Sequence, residues 1–107
     1  MRRVIVESPY AGDIELHIQY ARRCVRDCVL RGESPIASHL LFTQPGILRD
    51  EIADERALGI ACGLAWLRVA DAMVVYVDHG VSNGMQNAVA IAKQQRVPIE
   101  VRKLLPE

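Results

Sequence analysis

Three short polar clusters carry most of the chemistry this sequence could perform, and each follows a run of apolar residues. Ser8, Tyr10, Gly12 and Asp13 follow Val4-Ile5-Val6; Ser38 and His39 follow Pro35-Ile36-Ala37; Asp78, His79, Ser82 and Asn83 follow Ala72-Met73-Val74-Val75-Tyr76-Val77. A carboxylate directly behind a long apolar run needs hydrogen-bond donors or water, and the hydroxyls of a sugar would serve Asp78. Tyr10 joins an apolar ring to a hydroxyl, which suits stacking on a flat base or closing a lid over the core. His39 and His79 titrate near neutral pH and are candidate acids or bases, though the sequence assigns neither a partner. Asp13 and Ser82 each precede a helical pattern and also read as N-caps.

Other residue types point away from particular chemistries. Cys24 and Cys28 lie four apart with His17 seven before them, but no fourth ligand accompanies them. They read as buried thiols beside a structural histidine, so neither a metal nor a cofactor is expected. An odd count of three cysteines without close pairing fits a reducing compartment, and the expected location is cytoplasmic. Thirteen basic residues balance thirteen acidic ones, which removes the electrostatic case for a nucleic-acid partner. The run Val4 to Val6 is too short for a signal-peptide core. Arg68 and Asp71 break the stretch from Ala57 to Val77, so no membrane span and no membrane partner are expected.

The elements that must position these clusters follow from periodicity. Val4 to Val6 is a β-branched strand stopped by Ser8-Pro9-Tyr10-Ala11-Gly12. Asp13 caps a helix whose stripe runs Ile14, Ile18, Ala21, Val25 and Cys28, with Arg22, Arg23 and Arg26 on the solvated side and Gly32 closing it. Pro35 to His39 forms a second strand, and Leu40 to Asp50 a longer connection of the kind that often carries function. Asp54 is placed to cap a helix through Leu58, Ala61, Leu64, Ala65 and Val69 to about Ala70, in which Gly59 and Gly63 permit close packing. Ala72 to Val77 is nearly unbroken in apolar character, as a central strand covered on both faces should be. Ser82-Asn83-Gly84 opens a third helix to about Gln95, and Val97 to Val101 forms the last strand.

With 107 residues, half of them hydrophobic, the chain suits one domain with its own core. The alternation predicts a single Rossmann-like, three-layer α/β/α domain around a four-stranded parallel sheet with right-handed crossovers. Ligands of such sheets bind beyond the carboxyl ends of the strands, which is where the three polar clusters fall.

These segments also carry a family resemblance. Ser8-Pro9-Tyr10-Ala11-Gly12, Pro35-Ile36-Ala37-Ser38-His39, Glu55-Arg56-Ala57-Leu58-Gly59, and Asp78 followed by Val81-Ser82-Asn83-Gly84-Met85 resemble a family of small phage and bacterial proteins (DUF4406/DUF7768-like). That family is related to the nucleoside 2-deoxyribosyltransferases, and the likeness spans about Val4 to Val101. In the transferases a glutamate on the third helix attacks the anomeric carbon and splits one displacement into two. The resemblance puts that position at Gln86, Asn87 or, with a looser alignment, Ala88, none of which is a carboxylate. It also implies that Asp78 and Tyr10 contact the nucleoside, and that the chain forms a homodimer or a higher homo-oligomer.

Three functions are therefore weighed. The first is binding of a nucleoside, nucleotide or nucleotide-derived signal without glycosyl-enzyme chemistry, through Ser8, Tyr10, Gly12, Asp13, Ser38, His39, Asp78 and Ser82 to Gln86 (Asn83, Gly84 and Met85 between them). The second is an N-glycosidic-bond enzyme in which Asp78 or His79 activates water. The third is an assembly module in which Trp66 marks the partner surface.

Overall fold

A computed structural model describes residues 1–104. The chain runs β1 (Arg2–Glu7), α1 (Ile14–Leu30), β2 (Glu33–Ile36), α2 (Ser38–Leu41), α3 (Ala53–Ala65), a single 3-10 turn (Trp66–Arg68), β3 (Ala72–Tyr76), α4 (Asn83–Gln94) and β4 (Ile99–Arg102). The four strands pair in the order β2-β1-β3-β4, all parallel, with Val4 beside Ala72 and Met73 beside Ile99. This is a Rossmann-like α/β domain, with β1 and β3 as the inner strands.

Strand parity divides the core into two halves. Val4, Val6, Ala72, Val74 and Tyr76 face α1 and pack with Tyr20, Cys24 and Cys28. Ile5, Met73 and Val75 face the other way, against Leu67 of the 3-10 turn and Met85, Ala88 and Ala92 of α4. Every residue of β3 is buried, as its unbroken apolar run requires. The edge strands are tied by a buried bidentate pair, Arg102 to Glu33 at 2.8 and 2.7 Å, extended by Glu100 and Arg2. Arg102 and Glu33 hold each other charged: the pair keeps the Glu33 carboxyl below its ordinary range.

Several sequence expectations are corrected. Asp13 does cap α1, accepting the Leu16 N–H, but Ile14 lies exposed while Tyr20 and Cys24 are buried, so the apolar stripe is rotated toward the sheet. Ser38 and His39 do not end a strand. They open the short helix α2, because β2 closes at Ile36. Asp54 does not cap α3; the flanking position is Ile52, and Asp54 sits in the first turn, where its charge suits the helix dipole. That helix also ends at Ala65; its main partner is α2, Leu64 reaches the core cluster of Ile5 and Met85, and Leu58, Ala61 and Ala65 face outward. Gly63 alone of its residues is fully buried, and it lies directly against Ser38.

Candidate functional site

The carboxyl end of β1, the helices α2 and α3 and the first turns of α4 enclose a cleft of about 680 Å³. The β1 end contributes Ile5, Glu7, Ser8, Tyr10 and Ala11; α2 and the residue pair after it contribute Ser38, His39, Phe42 and Thr43. Glu55, Arg56, Gly59, Ile60, Gly63 and Leu64 of α3 form one wall, with Leu48 and Asp50 leading into it. The opposite wall is Ser82 to Met85 and Asn87, Ala88, Ala90 and Ile91 of α4.

Local hydrogen bonding fixes these walls. Ser82 caps α4 by accepting the Met85 N–H at 3.2 Å, and the Ser82 N–H meets Met85 Sδ at 3.4 Å. Ser8 Oγ and His39 Nε2 lie 2.7 Å apart and tie the end of β1 to α2. Burial pushes the His39 imidazole down to about 4, so it is neutral at physiological pH and the proton in that bond is set by its tautomer. Thr43 Oγ1 donates to the His39 carbonyl at 2.7 Å and closes the short helix. The Glu55 carboxylate accepts the Arg49 N–H at 3.0 Å, which pins the connecting loop to the start of α3.

Of the site residues named from sequence, Ser8, Tyr10, Ser38, His39, Ser82, Asn83, Gly84 and Met85 come together around this cleft. Gly12, Asp13, Asp78, His79 and Gln86 are not among its lining residues. Gly12 shapes the turn, at φ +94°, a left-handed conformation that favours glycine. Asp78 lies two residues beyond Tyr76 and keeps its parity, turning to the α1 side, where it accepts from the Tyr20 hydroxyl at 2.5 Å and the Leu104 N–H at 2.9 Å. His79 is exposed, edge-on to the Tyr20 ring with centroids 4.3 Å apart. His17 turns its Nδ1 to the Tyr10 carbonyl at 3.0 Å and so acts in scaffolding.

Glu7 was not picked out by the sequence reading. It lines the cleft from the end of an inner strand, and burial pushes its carboxyl up to about 8. The available signal was its place as the first charged residue after Val4-Ile5-Val6, a position as constrained as that of Asp78. No acidic residue of α4 lines the cleft; of Gln86, Asn87 and Ala88, the last two do. Among the described residues no cluster of three or more His, Cys, Asp or Glu side chains could hold a metal ion, and no helix is long and apolar enough to cross a membrane.

A parallel sheet of this order with a cleft at its strand ends defines the class of protein. Residues 2–102 match the family model described as a domain of unknown function (DUF7768), and the chain belongs to that family. No curated protein matches the sequence. Among solved structures, the chain is similar to a 2-deoxyribosyltransferase from the psychrotolerant bacterium Bacillus psychrosaccharolyticus, with 16% identity and a TM-score of 0.67. The match covers 98% of this chain and 74% of the transferase, and at that identity it establishes a shared fold.

Proposed function

We propose that the cleft binds a nucleoside or nucleotide derivative and does so without glycosyl-enzyme chemistry on α4. The observation that carries this reading is the pairing of a cleft of about 680 Å³ with an α4 wall that offers Asn87 and no carboxylate. Small-molecule sites span roughly 300–1,000 Å³, with mostly apolar walls and a few convergent polar groups. Here Phe42, Leu48, Ile60, Leu64 and Ile91 supply apolar surface for a flat ring, while Ser8, Ser82, Asn83 and Asn87 supply donors and acceptors for a sugar. A phosphate would be favoured at the amino end of α4. The likeness to a 2-deoxyribosyltransferase supports the nucleoside class. Nucleic acid and membrane are not proposed partners, and the reducing cytoplasm is the proposed location.

A homo-oligomer goes with this reading. On α3 and the turn after it, Leu58, Ile60 and Trp66 are 57%, 53% and 48% exposed, more apolar surface than a solvated helix needs. Ile60 also lines the cleft, so a second copy seated on this face would abut the ligand.

The test is a panel of nucleosides, deoxynucleotides and NAD-type dinucleotides, followed by thermal shift and by assay for released base, with the mass in solution measured alongside. A shift with intact ligand recovered afterwards is expected. Base release would replace the binder with an N-glycosidic enzyme, and no shift with any compound would favour an assembly module.

A further inference from the structure

Glu7 is the last residue of the inner strand β1 and has the same parity as Ile5, which packs with Met73, Val75 and Met85. Val75 is also its neighbour across the β1–β3 ladder. The carboxyl therefore rises from an apolar floor into the cleft between α3 and α4. Desolvation is the one influence on its titration, with no hydrogen bond or charge partner acting on it among the described residues. No buried side-chain oxygen among those residues lacks a partner, so the Glu7 oxygens are open to the cleft. An open, unpartnered carboxyl on an apolar floor is suited to a ligand group.

We propose that Glu7 reads the base of the bound nucleoside, its carboxyl proton donated to a ring nitrogen and its second oxygen accepting an adjacent amino N–H. The inference rests on the nucleoside reading of the cleft. A neutral carboxyl displays a donor beside an acceptor, which complements a base edge that pairs an acceptor with an N–H. A carboxylate accepts only, and would be repelled by the lone pairs of the ring acceptor.

Burial keeps the proton on Glu7 up to about pH 8. The titratable and charged groups that share the cleft are Tyr10, His39 of α2, Asp50 of the loop, and Glu55 and Arg56 of α3; α4 contributes none. Arg56 Nε lies 4.0 Å from Asp50 Oδ1, and Glu55 is engaged by the Arg49 N–H.

The test measures binding of 2′-deoxyadenosine and 2′-deoxycytidine, whose rings titrate only in acid, from neutral to alkaline pH. Affinity should hold to about pH 8 and then fall roughly tenfold per pH unit. Glu7→Gln, which keeps the donor and acceptor, should bind within about threefold and lose the alkaline fall; Glu7→Ala should bind at least about tenfold more weakly. Circular dichroism checks both variants, and if Glu7→Ala does not fold, the pH profile of Glu7→Gln decides. Wild-type binding that is matched by Glu7→Ala, or an alkaline fall that survives in Glu7→Gln, overturns the inference and leaves the nucleoside reading standing. Wild type that binds neither of these nucleosides overturns the inference, while binding of any other member of the wider panel leaves the nucleoside reading standing.

Discussion

Tyr20 and Asp78 exchange two hydrogen bonds: the phenol donates to Asp78 Oδ1 at 2.5 Å and accepts the Asp78 backbone N–H at 3.0 Å. The exchange clamps the exit of β3 to the middle of α1. It also turns the strand-end carboxylate toward α1, on the opposite face of the sheet from Glu7. Tyr20→Phe removes both bonds from a buried ring, and hydrogen bonds to charged groups are worth about 1.5–3 kcal/mol. We expect that loss in chemical denaturation, with nucleoside affinity in the cleft changed less than about twofold. A large loss of affinity at unchanged fold would assign Asp78 to the ligand after all.

The contact between Gly63 and Ser38 is the tightest point of the α2–α3 wall. A Cβ at Gly63 would stand 2.5 Å from Ser38 Oγ and 2.6 Å from Ser38 Cβ, too close for either atom to remain in place. Overpacking of this kind costs about 1–3 kcal/mol. Gly63→Ala should therefore destabilise the protein and, since both residues line the cleft, weaken ligand binding. Combining it with Ser38→Gly should recover part of the stability, because the clashing side chain is gone. An additive double variant would show that the strain lies elsewhere.

Arg102 and Glu33 are each less than a tenth exposed and bond bidentately, so removing one leaves the other charged and buried. Because Arg102 keeps its bond to Glu100, Glu33→Ala should cost somewhat less than the about 3–5 kcal/mol of a fully uncompensated buried charge, while replacing both with apolar residues of similar volume should cost less still. Denaturation of the two variants side by side checks this. Equal losses would mean that the pair itself, and not the arginine left with Glu100 as its remaining carboxylate, carries the energy.

What the sequence disclosed depended on whether neighbours along the chain or across space decided the outcome. The four parallel strands were legible because Ala72 to Val77 and Val4 to Val6 carry their burial in their composition. Asp13 and Ser82 were legible as caps because capping is local. The environment of α3 was not legible: its apolar residues have the spacing of a core helix, yet it packs on α2 and leaves Leu58 outward. The site was legible by region and not by face. Glu7 ends β1 and Asp78 follows β3 by two residues, and only the parity set by pairing sends one into the cleft and the other to α1. Ser38 and His39 line the cleft from a helix and not from the strand that their sequence context suggests.

Glu7 and His39 shift in opposite senses, and their effects on stability oppose each other in mild acid. The Glu7 carboxyl is raised from 4.5 to about 8 in the folded protein, so its favourable contribution is complete below pH 4.5 and is lost as pH rises toward 8. The His39 imidazole is lowered from 6.5 to about 4, so its contribution is complete above pH 6.5 and is lost as pH falls toward 4. Between pH 4.5 and 6.5 one unfolded-state proton is released as another is bound, and the two slopes cancel. Glu7→Gln should uncover the histidine limb: stability that climbs from pH 4.5 to 6.5 and then stays level to pH 8, with a gain over wild type of about 2–4 kcal/mol at the alkaline end. His39→Gln should uncover the carboxyl limb, a steady decline across the whole range from pH 4.5 to 8. Urea denaturation of the three proteins at closely spaced pH values reads both limbs. A Glu7→Gln profile parallel to wild type would mean that Glu7 ionises in the cleft at an ordinary pH, and that water or a cation reaches the floor between Ile5 and Val75.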